Sequence, residues 1–269
     1  FSLIKSVRVF QIHSTVGENS SLNSVKNMKL KHILTTKQFL DKNLLNEIFS
    51  IADNFEKTEK ENKTPKILKN KILSCLFYEP STRTRFSFES AMLKLGGQVI
   101  STENAAHFSS AAKGETFEDS IRVVSFYCDV IVLRHPEIGA AKRAAKVSLV
   151  SIINAGDGSG EHPTQALLDL YTIKKEIGRT SNLKIGMVGD LLYGRTIHSL
   201  IYLLSLYQNV EIFLVSPKEL KLPEKYKLFL KKHKIDVLLS VNQVVPLVKP
   251  KCCKYISVVH DVIYKKNLS

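Results

Sequence analysis

Three hydroxyl and two guanidinium side chains occupy the consecutive positions 81–85, within the stretch "EPSTRTRFSFESA". An apolar segment typical of a buried strand precedes them, and a run with helical periodicity follows. Arginine at a helix N-terminus opposes the helix dipole, so Arg83 and Arg85 are poorly placed unless an anion binds there. Hydroxyls, guanidinium groups and the N–H groups of a first helical turn are good phosphate ligands. We therefore predict a phosphate site, with ordinary helix capping as the alternative.

Two further polar segments also follow segments that have the character of strands. Arg134 ends "DVIVLR", and the loop "GDGSGEHPTQ" follows "LVSIINA". Ligands of open α/β sheets bind outside the carboxyl ends of the strands, so these segments are expected to converge on one crevice with positions 81–85. His162 precedes Pro163, whose fixed φ suits the start of a helix, so the imidazole is a candidate ligand or a simple cap. Gln165 follows on the same helix, and a buried Arg134 needs an anionic partner.

Strand and helix patterns alternate along the chain, which predicts an α/β fold with parallel sheets. Two doubly wound domains are expected, with a flexible extension at 1–27, a first domain at 28–165 and a second at 166–269. The boundary falls near the helix that begins at Pro163. Helices are predicted at 37–57, 82–95, 115–127, 163–177, 196–207 and 223–233, and strands at 71–77, 98–101, 129–134, 149–155, 183–190 and 210–217.

Composition narrows the function classes. The chain has 269 residues, 44% of them hydrophobic, and a net charge of +14. It contains no apolar run near the length of about 18 residues that a membrane span needs, and the four cysteines lack the C-x-x-C spacing of a zinc site. We therefore expect no membrane partner, no metal, and a reducing, cytoplasmic location, with a targeting segment ahead of Phe1 as an alternative.

The lysine excess raises the possibility of a nucleic-acid-binding protein. The lysines are spread along the chain and no RNA-binding motif with interleaved aromatic residues accompanies them, so solvated lysines that attract anionic substrates are the preferred interpretation. The sequence "GMVGD" after a strand lacks the full dinucleotide-binding pattern. Neither nucleic acid nor an organic cofactor is predicted.

Four blocks together resemble the signature motifs of the aspartate carbamoyltransferase family: "FYEPSTRTRFSFE", "VLRHP", "NAGDGSGEHPTQALLDLYTI" and "GDLLYGRTIHSL". The resemblance covers about residues 30 to 235. The first block is shared with ornithine carbamoyltransferases, whereas the block containing Arg195 is typical of the aspartate enzymes. The resemblance implies two α/β domains, a homotrimer with active sites shared between subunits, and no cofactor.

The resemblance also implies a reaction and roles for individual residues. The amine of L-aspartate would attack the carbamoyl group of carbamoyl phosphate, giving N-carbamoyl-L-aspartate and phosphate in an early step of pyrimidine biosynthesis. Catalytic roles would fall to Arg83, Thr84, Lys113, Arg134 and His162. The substrate-binding set would add Ser81, Thr82, Ser109, Gln165 and Arg195, with Ser109 and Lys113 reaching into the site of the neighbouring subunit and Arg195 holding a substrate carboxylate.

The tail departs from the family pattern. The T-R-x-Q and H-P-L-P-R segments of the family are absent from "VNQVVPLVKPKCCKYISVVHDVIYKKNLS". We therefore expect an incomplete second domain and little turnover of aspartate by this chain, whether through truncation, an altered reading frame or loss of function. A catalytically impaired homologue that binds carbamoyl phosphate and an ornithine-type enzyme stay as alternatives.

Overall fold

The computed structural model describes residues 30–103, 105 and 114–240. These residues form two parallel sheets with helices between the strands, which confirms the predicted α/β class. The strands are β1 Ile72–Phe77, β2 Gln98–Glu103, β3 Val130–His135, β4 Ser151–Asp157, β5 Leu183–Val188, β6 Val210–Val215 and β7 Asp236–Ser240. The α-helices are α1 Lys42–Lys60, α2 Thr82–Lys94, α3 Phe117–Val124, α4 Ala140–Val147, α5 Pro163–Ile177, α6 Arg195–Leu204 and α7 Glu224–Lys232.

The first sheet has the strand order β2-β1-β3-β4, and the second has the order β5-β6-β7. In the first sheet the chain leaves β1 for β2 on one side and then returns to β3 on the other. This reversal creates a switch point between β1 and β3, where the connections diverge and leave a crevice at the carboxyl ends of the strands. We therefore expect a ligand to bind at this edge of the first sheet.

Helix α5 connects the two sheets and is buried on almost all sides. Its buried residues pack into one hydrophobic core that includes side chains of both sheets and of α6. One aromatic contact within this core joins Tyr171 of α5 to Phe49 of α1, with ring centroids 5.3 Å apart. Because α5 begins at the crevice and runs through the core, the position of its first residues is fixed by packing.

Several element boundaries differ from those predicted. The helix expected at 37–57 is interrupted at Asp41, whose carboxylate accepts hydrogen bonds from the N–H groups of Asn43 and Leu44 and so starts α1. A 3-10 turn, Thr36–Phe39, precedes it. Helix α4 and strand β7 were not predicted, and β4 extends to Asp157, two residues beyond its predicted end. The longer β4 extends further towards the crevice than predicted.

Some predictions fall outside the described residues. These are the extension at 1–27, Ser109, Lys113 and the tail from residue 241 onward. The domain boundary at residue 165 stays a prediction. None of the helices in the described ranges combines the length and apolarity that a bilayer crossing requires.

Candidate active site

The polar segments that follow β1 and β3 lie side by side. Phe77 at the end of β1 is in register with Arg134 of β3, and the N–H of Tyr78 donates to the carbonyl of Arg134 across 2.8 Å. On the other side of β3, His135 is in register with Asp157 at the end of β4. Parallel pairing therefore brings the ends of three strands to one edge, as the sequence predicted.

The turn at 81–84 enters helix α2 without the usual capping contacts. Ser81 occupies the N-cap position, but its hydroxyl makes no capping hydrogen bond, and the first turn contains no acidic residue. Thr82 and Arg83 are exposed, whereas Thr84 is buried. Ser81 therefore does not cap the first turn of α2 with its side chain, which is consistent with an anion site at the positive end of this helix.

A carboxylate lies between two arginines at the centre of the crevice. Glu79 Oε1 accepts from Arg134 Nη2 at 2.7 Å. The same carboxylate lies 3.3 to 3.4 Å from the terminal nitrogens of Arg195. Sequence reasoning missed Glu79, although its place two residues after β1 and immediately ahead of the 81–84 turn was an available signal. One carboxylate for two guanidinium groups leaves the cluster with an excess positive charge, so it can attract a further anion.

One hydrogen-bond donor of Arg134 has no partner among the described residues. Its residue is only 9% exposed, and its Nε–H is buried with no hydrogen-bond partner among the described residues. Burial lowers the pKa of Arg134, and Arg195 lowers it further while Glu79 opposes the change. An unpaired N–H on a buried cation is costly, so this donor points to a ligand oxygen as its partner.

Arg195 reaches the first sheet from the first turn of α6. Its Nη1 donates to the carbonyl of Gly158 at 2.6 Å, in addition to its contact with Glu79. Gly156 makes room for the guanidinium group, because a Cβ at that position would lie 3.0 Å from Arg195 Cζ. The structure thus brings Arg195 together with Arg134, although Arg134 lies on β3 of the first sheet and Arg195 on the helix that follows β5 of the second.

Gly156→Ala is expected to destabilise the fold and to displace Arg195. The backbone of Gly156 has φ +115°, a conformation that costs an L-residue about 1–2 kcal/mol, and the added methyl group would crowd the guanidinium group. Gly178→Ala is the matched control, since Gly178 has φ +79° with open space around it. Urea unfolding should show the larger loss for Gly156→Ala. Equal losses of unfolding free energy in the two variants would mean that the position of Arg195 does not depend on Gly156.

His162 is held at the start of α5. It is buried, its backbone N–H donates to Ser199 Oγ at 2.9 Å, and its Nδ1 lies 3.2 Å from Thr164 Oγ1. The imidazole makes no capping hydrogen bond to its own helix. Sequence reasoning did not identify Ser199, which joins α6 to the loop that carries His162. The side-chain amide of Gln165 donates to Asp169 of the same helix at 2.9 Å, and its role near the carbamoyl amino group stays a prediction.

The described residues contain no group of three or more histidine, cysteine, aspartate or glutamate side chains that could hold a metal ion. The site as described consists of hydroxyls, guanidinium groups, a buried imidazole and a helix N-terminus. Such groups bind anions and stabilise negative charge that develops on oxygen.

Comparison with known proteins shows the family to which the chain belongs. Residues 31–175 match the aspartate/ornithine carbamoyltransferase, carbamoyl-P binding domain. The chain belongs to the aspartate/ornithine carbamoyltransferase family. It is 53% identical over 208 residues to aspartate carbamoyltransferase 2, chloroplastic, of Pisum sativum, covering 77% of this chain and 54% of the relative. It is 56% identical over 195 residues to the aspartate carbamoyltransferase catalytic subunit of Methanocaldococcus jannaschii, covering 72% and 63%.

Solved structures agree with the sequence comparison. The catalytic subunit of M. jannaschii aspartate transcarbamoylase has a TM-score of 0.74 at 52% identity, covering 80% of this chain and 69% of that chain. Aspartate transcarbamoylase from Trypanosoma cruzi in complex with carbamoyl phosphate has a TM-score of 0.73 at 36% identity, covering 78% and 65%. The chain spans about half the length of the plant relatives it matches.

Proposed function

We propose that the protein transfers the carbamoyl group of carbamoyl phosphate to the amine of L-aspartate, in pyrimidine biosynthesis. The observation that carries the proposal is the buried, unpaired Nε–H of Arg134 beside the 81–84 turn at the switch point. The T. cruzi relative has been solved with carbamoyl phosphate and with aspartate and phosphate, which supports the same two substrates here.

The proposed mechanism follows from where negative charge develops. The phosphate would bind to Ser81, Thr82 and Arg83 at the N-terminus of α2. The carbamoyl oxygen would accept hydrogen bonds from Thr84, Arg134 and His162. When the aspartate amine attacks the carbamoyl carbon, a C–N bond forms and the oxygen becomes an anion that these donors stabilise. The C–O bond to phosphate then breaks, and the departing phosphate accepts the amine proton.

Arg195 favours aspartate over ornithine as the acceptor. Its guanidinium group lies beside the Arg134 and Glu79 pair, where it can bind a carboxylate in a two-pronged contact. Both amino acids carry an α-carboxylate, but the side chain of aspartate adds a second carboxylate where ornithine has an ammonium group, so a cation that faces the side chain favours aspartate. The ornithine-type alternative therefore predicts a different residue at this position.

Arg83→Ala is expected to weaken carbamoyl phosphate binding by about 10- to 150-fold. A charge-assisted hydrogen bond contributes about 1.5–3 kcal/mol to binding. Arg83 is exposed and has no ion-pair partner among the described residues. Thermal stability without ligand should stay level or rise, because an unpaired cation leaves the positive end of a helix. Isothermal titration measures the affinity.

Arg179→Ala is the control for the Arg83 experiment. Arg179 is exposed and follows the C-terminus of α5, at the opposite end of that helix from His162, so its removal changes the net charge equally without touching the crevice. Its variant should bind carbamoyl phosphate as the wild type does. Equal affinity of the wild type and Arg83→Ala would refute the assignment of Arg83.

The same titration separates the alternative functions. Binding that inorganic phosphate competes away argues against a nucleic-acid-binding protein, and formation of carbamoyl aspartate argues against a catalytically impaired homologue. A protein that binds carbamoyl phosphate but yields no product with either aspartate or ornithine would favour the impaired homologue.

The proposal extends to a homotrimer in which Ser109 and Lys113 complete a neighbour's site. In chains completed with a family-type C-terminal segment, the Lys113→Ala and Arg83→Ala variants should each be inactive alone. Trimers reassembled from a mixture should regain part of the activity, since some interfaces would combine the two intact residues. Absence of recovery, with subunit exchange demonstrated by mass spectrometry, would place Lys113 outside the shared site.

The proposed location is the cytoplasm. Cys75 and Cys128 form no disulfide bond within the described part of the chain, which fits a reducing compartment, but the plant relatives are named chloroplastic. Fluorescence imaging of the tagged protein in its own cells distinguishes the two compartments.

A further inference from the structure

The loop at 190–194 lies between β5 and α6, so it determines the position of Arg195, the first residue of α6. The carboxylate of Asp190 accepts from the N–H groups of Leu192 and Tyr193, at 3.0 and 2.9 Å. The N–H of Arg195 in turn donates to the carbonyl of Tyr193 at 2.7 Å. The direction of the Arg195 side chain therefore depends on how this loop is held.

His198 holds the loop from within α6. It lies three residues after Arg195, is only 2% exposed, and its Nε2 is 2.9 Å from the carbonyl oxygen of Leu191. A carbonyl oxygen can only accept, so Nε2 carries the proton and donates. The contact closes a ring of chain from Leu191 to His198, which contains residues 192–194 of the loop and Arg195. The N–H of the same Leu191 donates to the carbonyl of Leu220 at 3.0 Å, so the residue is fixed on two sides.

Packing fixes the orientation of the imidazole. The ring stacks on Tyr226 of α7, with centroids 4.2 Å apart and planes 16° apart. Its Nδ1 is buried without a hydrogen-bond partner among the described residues. Burial lowers the pKa of His198, Lys225 lowers it further, and Asp190 and the backbone groups of Leu191 and Ser159 oppose the change. The imidazole is therefore neutral at pH 7 and serves as a fixed donor.

We infer that His198 is a positioning residue for Arg195, acting through the carbonyl of Leu191. The inference rests on the proposed function, in which Arg195 binds the carboxylate of the acceptor substrate. A loop released from His198 would let the start of α6 move relative to Glu79 and Gly158, the groups that Arg195 now contacts. The turn at 81–84 follows β1 of the first sheet, whereas this ring of chain follows β5 of the second, so the acceptor half of the site should respond more than the phosphate half.

Two variants separate the hydrogen bond from the packing. His198→Phe keeps the flat ring against Tyr226 but removes the donor, whereas His198→Gln keeps an N–H near the position of Nε2 and loses the ring. The readouts for the full chain are kcat/KM for aspartate at saturating carbamoyl phosphate, KM for carbamoyl phosphate, and amide hydrogen exchange of residues 191–194.

His198→Phe is expected to lower kcat/KM for aspartate about tenfold, which corresponds to about 1.4 kcal/mol, with KM for carbamoyl phosphate unchanged. Exchange in the loop should accelerate in the same variant while β5 and β6 keep their protection. His198→Gln should restore most of both. Equal losses for the two substrates, a loop that exchanges as in the wild type, or a His198→Gln variant as impaired as His198→Phe would each overturn the positioning role.

Failure of the proposed function gives a different result. A wild-type chain that binds carbamoyl phosphate but forms no carbamoyl aspartate, even when completed with a family-type C-terminal segment, favours the impaired homologue over the proposed reaction. Hydrogen exchange would still decide whether His198 orders the loop, because that measurement needs no substrate.

Discussion

Arg134→Lys is expected to lower kcat by about 100- to 1,000-fold, the usual effect of removing one donor from an oxyanion site. Lysine keeps the positive charge but lacks the planar fork with which Arg134 reaches Glu79 and the carbonyl of Ala155. It also lacks the Nε–H that donates to the substrate oxygen in the proposed mechanism. The lost donor acts mainly in the transition state, so kcat should fall more than the affinity for carbamoyl phosphate.

Steady-state kinetics with the Arg134→Lys variant measure this effect, and Arg143→Lys is the control. Arg143 is also an arginine paired with carboxylates, Glu118 and Glu137, but it lies on α4 outside the crevice. Its substitution should leave kcat within about twofold, since ion pairs of this exposure contribute little. A variant at position 134 with wild-type kcat would remove Arg134 from the catalytic set.

Glu79→Gln is expected to lower the free energy of unfolding by about 3 kcal/mol, the lower end of the range for breaking a buried ion pair by removing one partner. The lower end applies because Glu79 is itself 35% exposed, although Arg134 and Arg195 are only 10% and 14% exposed in their side chains. The two guanidinium groups would then face each other without a counter-charge. Differential scanning calorimetry and urea unfolding measure the loss.

Inorganic phosphate gives the Glu79→Gln experiment a second readout. Because the variant frees two cations, phosphate should raise its melting temperature more than that of the wild type. Glu137→Gln, which removes the carboxylate from an exposed ion pair with Arg143, should change neither quantity appreciably. A Glu79→Gln protein as stable as the wild type, with the same response to phosphate, would show that the carboxylate does not organise the arginines.

Most of the fold was predictable from local pattern. The strands β1 and β3 appear within one residue of their predicted ends, and α5 has its predicted bounds, because Pro163 and Gly178 mark its two ends chemically. Helix α4 escaped prediction because it is eight residues long and rich in alanine and lysine, so its periodic signal is weak. The break before α1 depends on one Asp41 side chain, which periodicity does not register.

The site was predictable where one segment contains its own chemistry. Four consecutive residues at 81–84 lie between a strand and a helix, as predicted, and this local pattern predicts an anion site without knowledge of distant contacts. The likeness of four blocks to one family added His162 and Arg195, which the local pattern alone would leave as a cap and a surface arginine. Whether Ser109 and Lys113 act in a neighbour's site stays a prediction.

By itself, then, the sequence determined the α/β class and the family and predicted an anion site at 81–84, since these depend on neighbours along the chain. Only the tertiary structure decided which carboxylate pairs with which arginine. Glu79 meets Arg134 from 55 residues away and Arg195 from 116 residues away. Those pairings exist because parallel register aligns β1 with β3 and because α6 packs against α5, so that its first turn meets the loop after β4. Such contacts are set by packing between distant elements, and no periodicity in the chain encodes them.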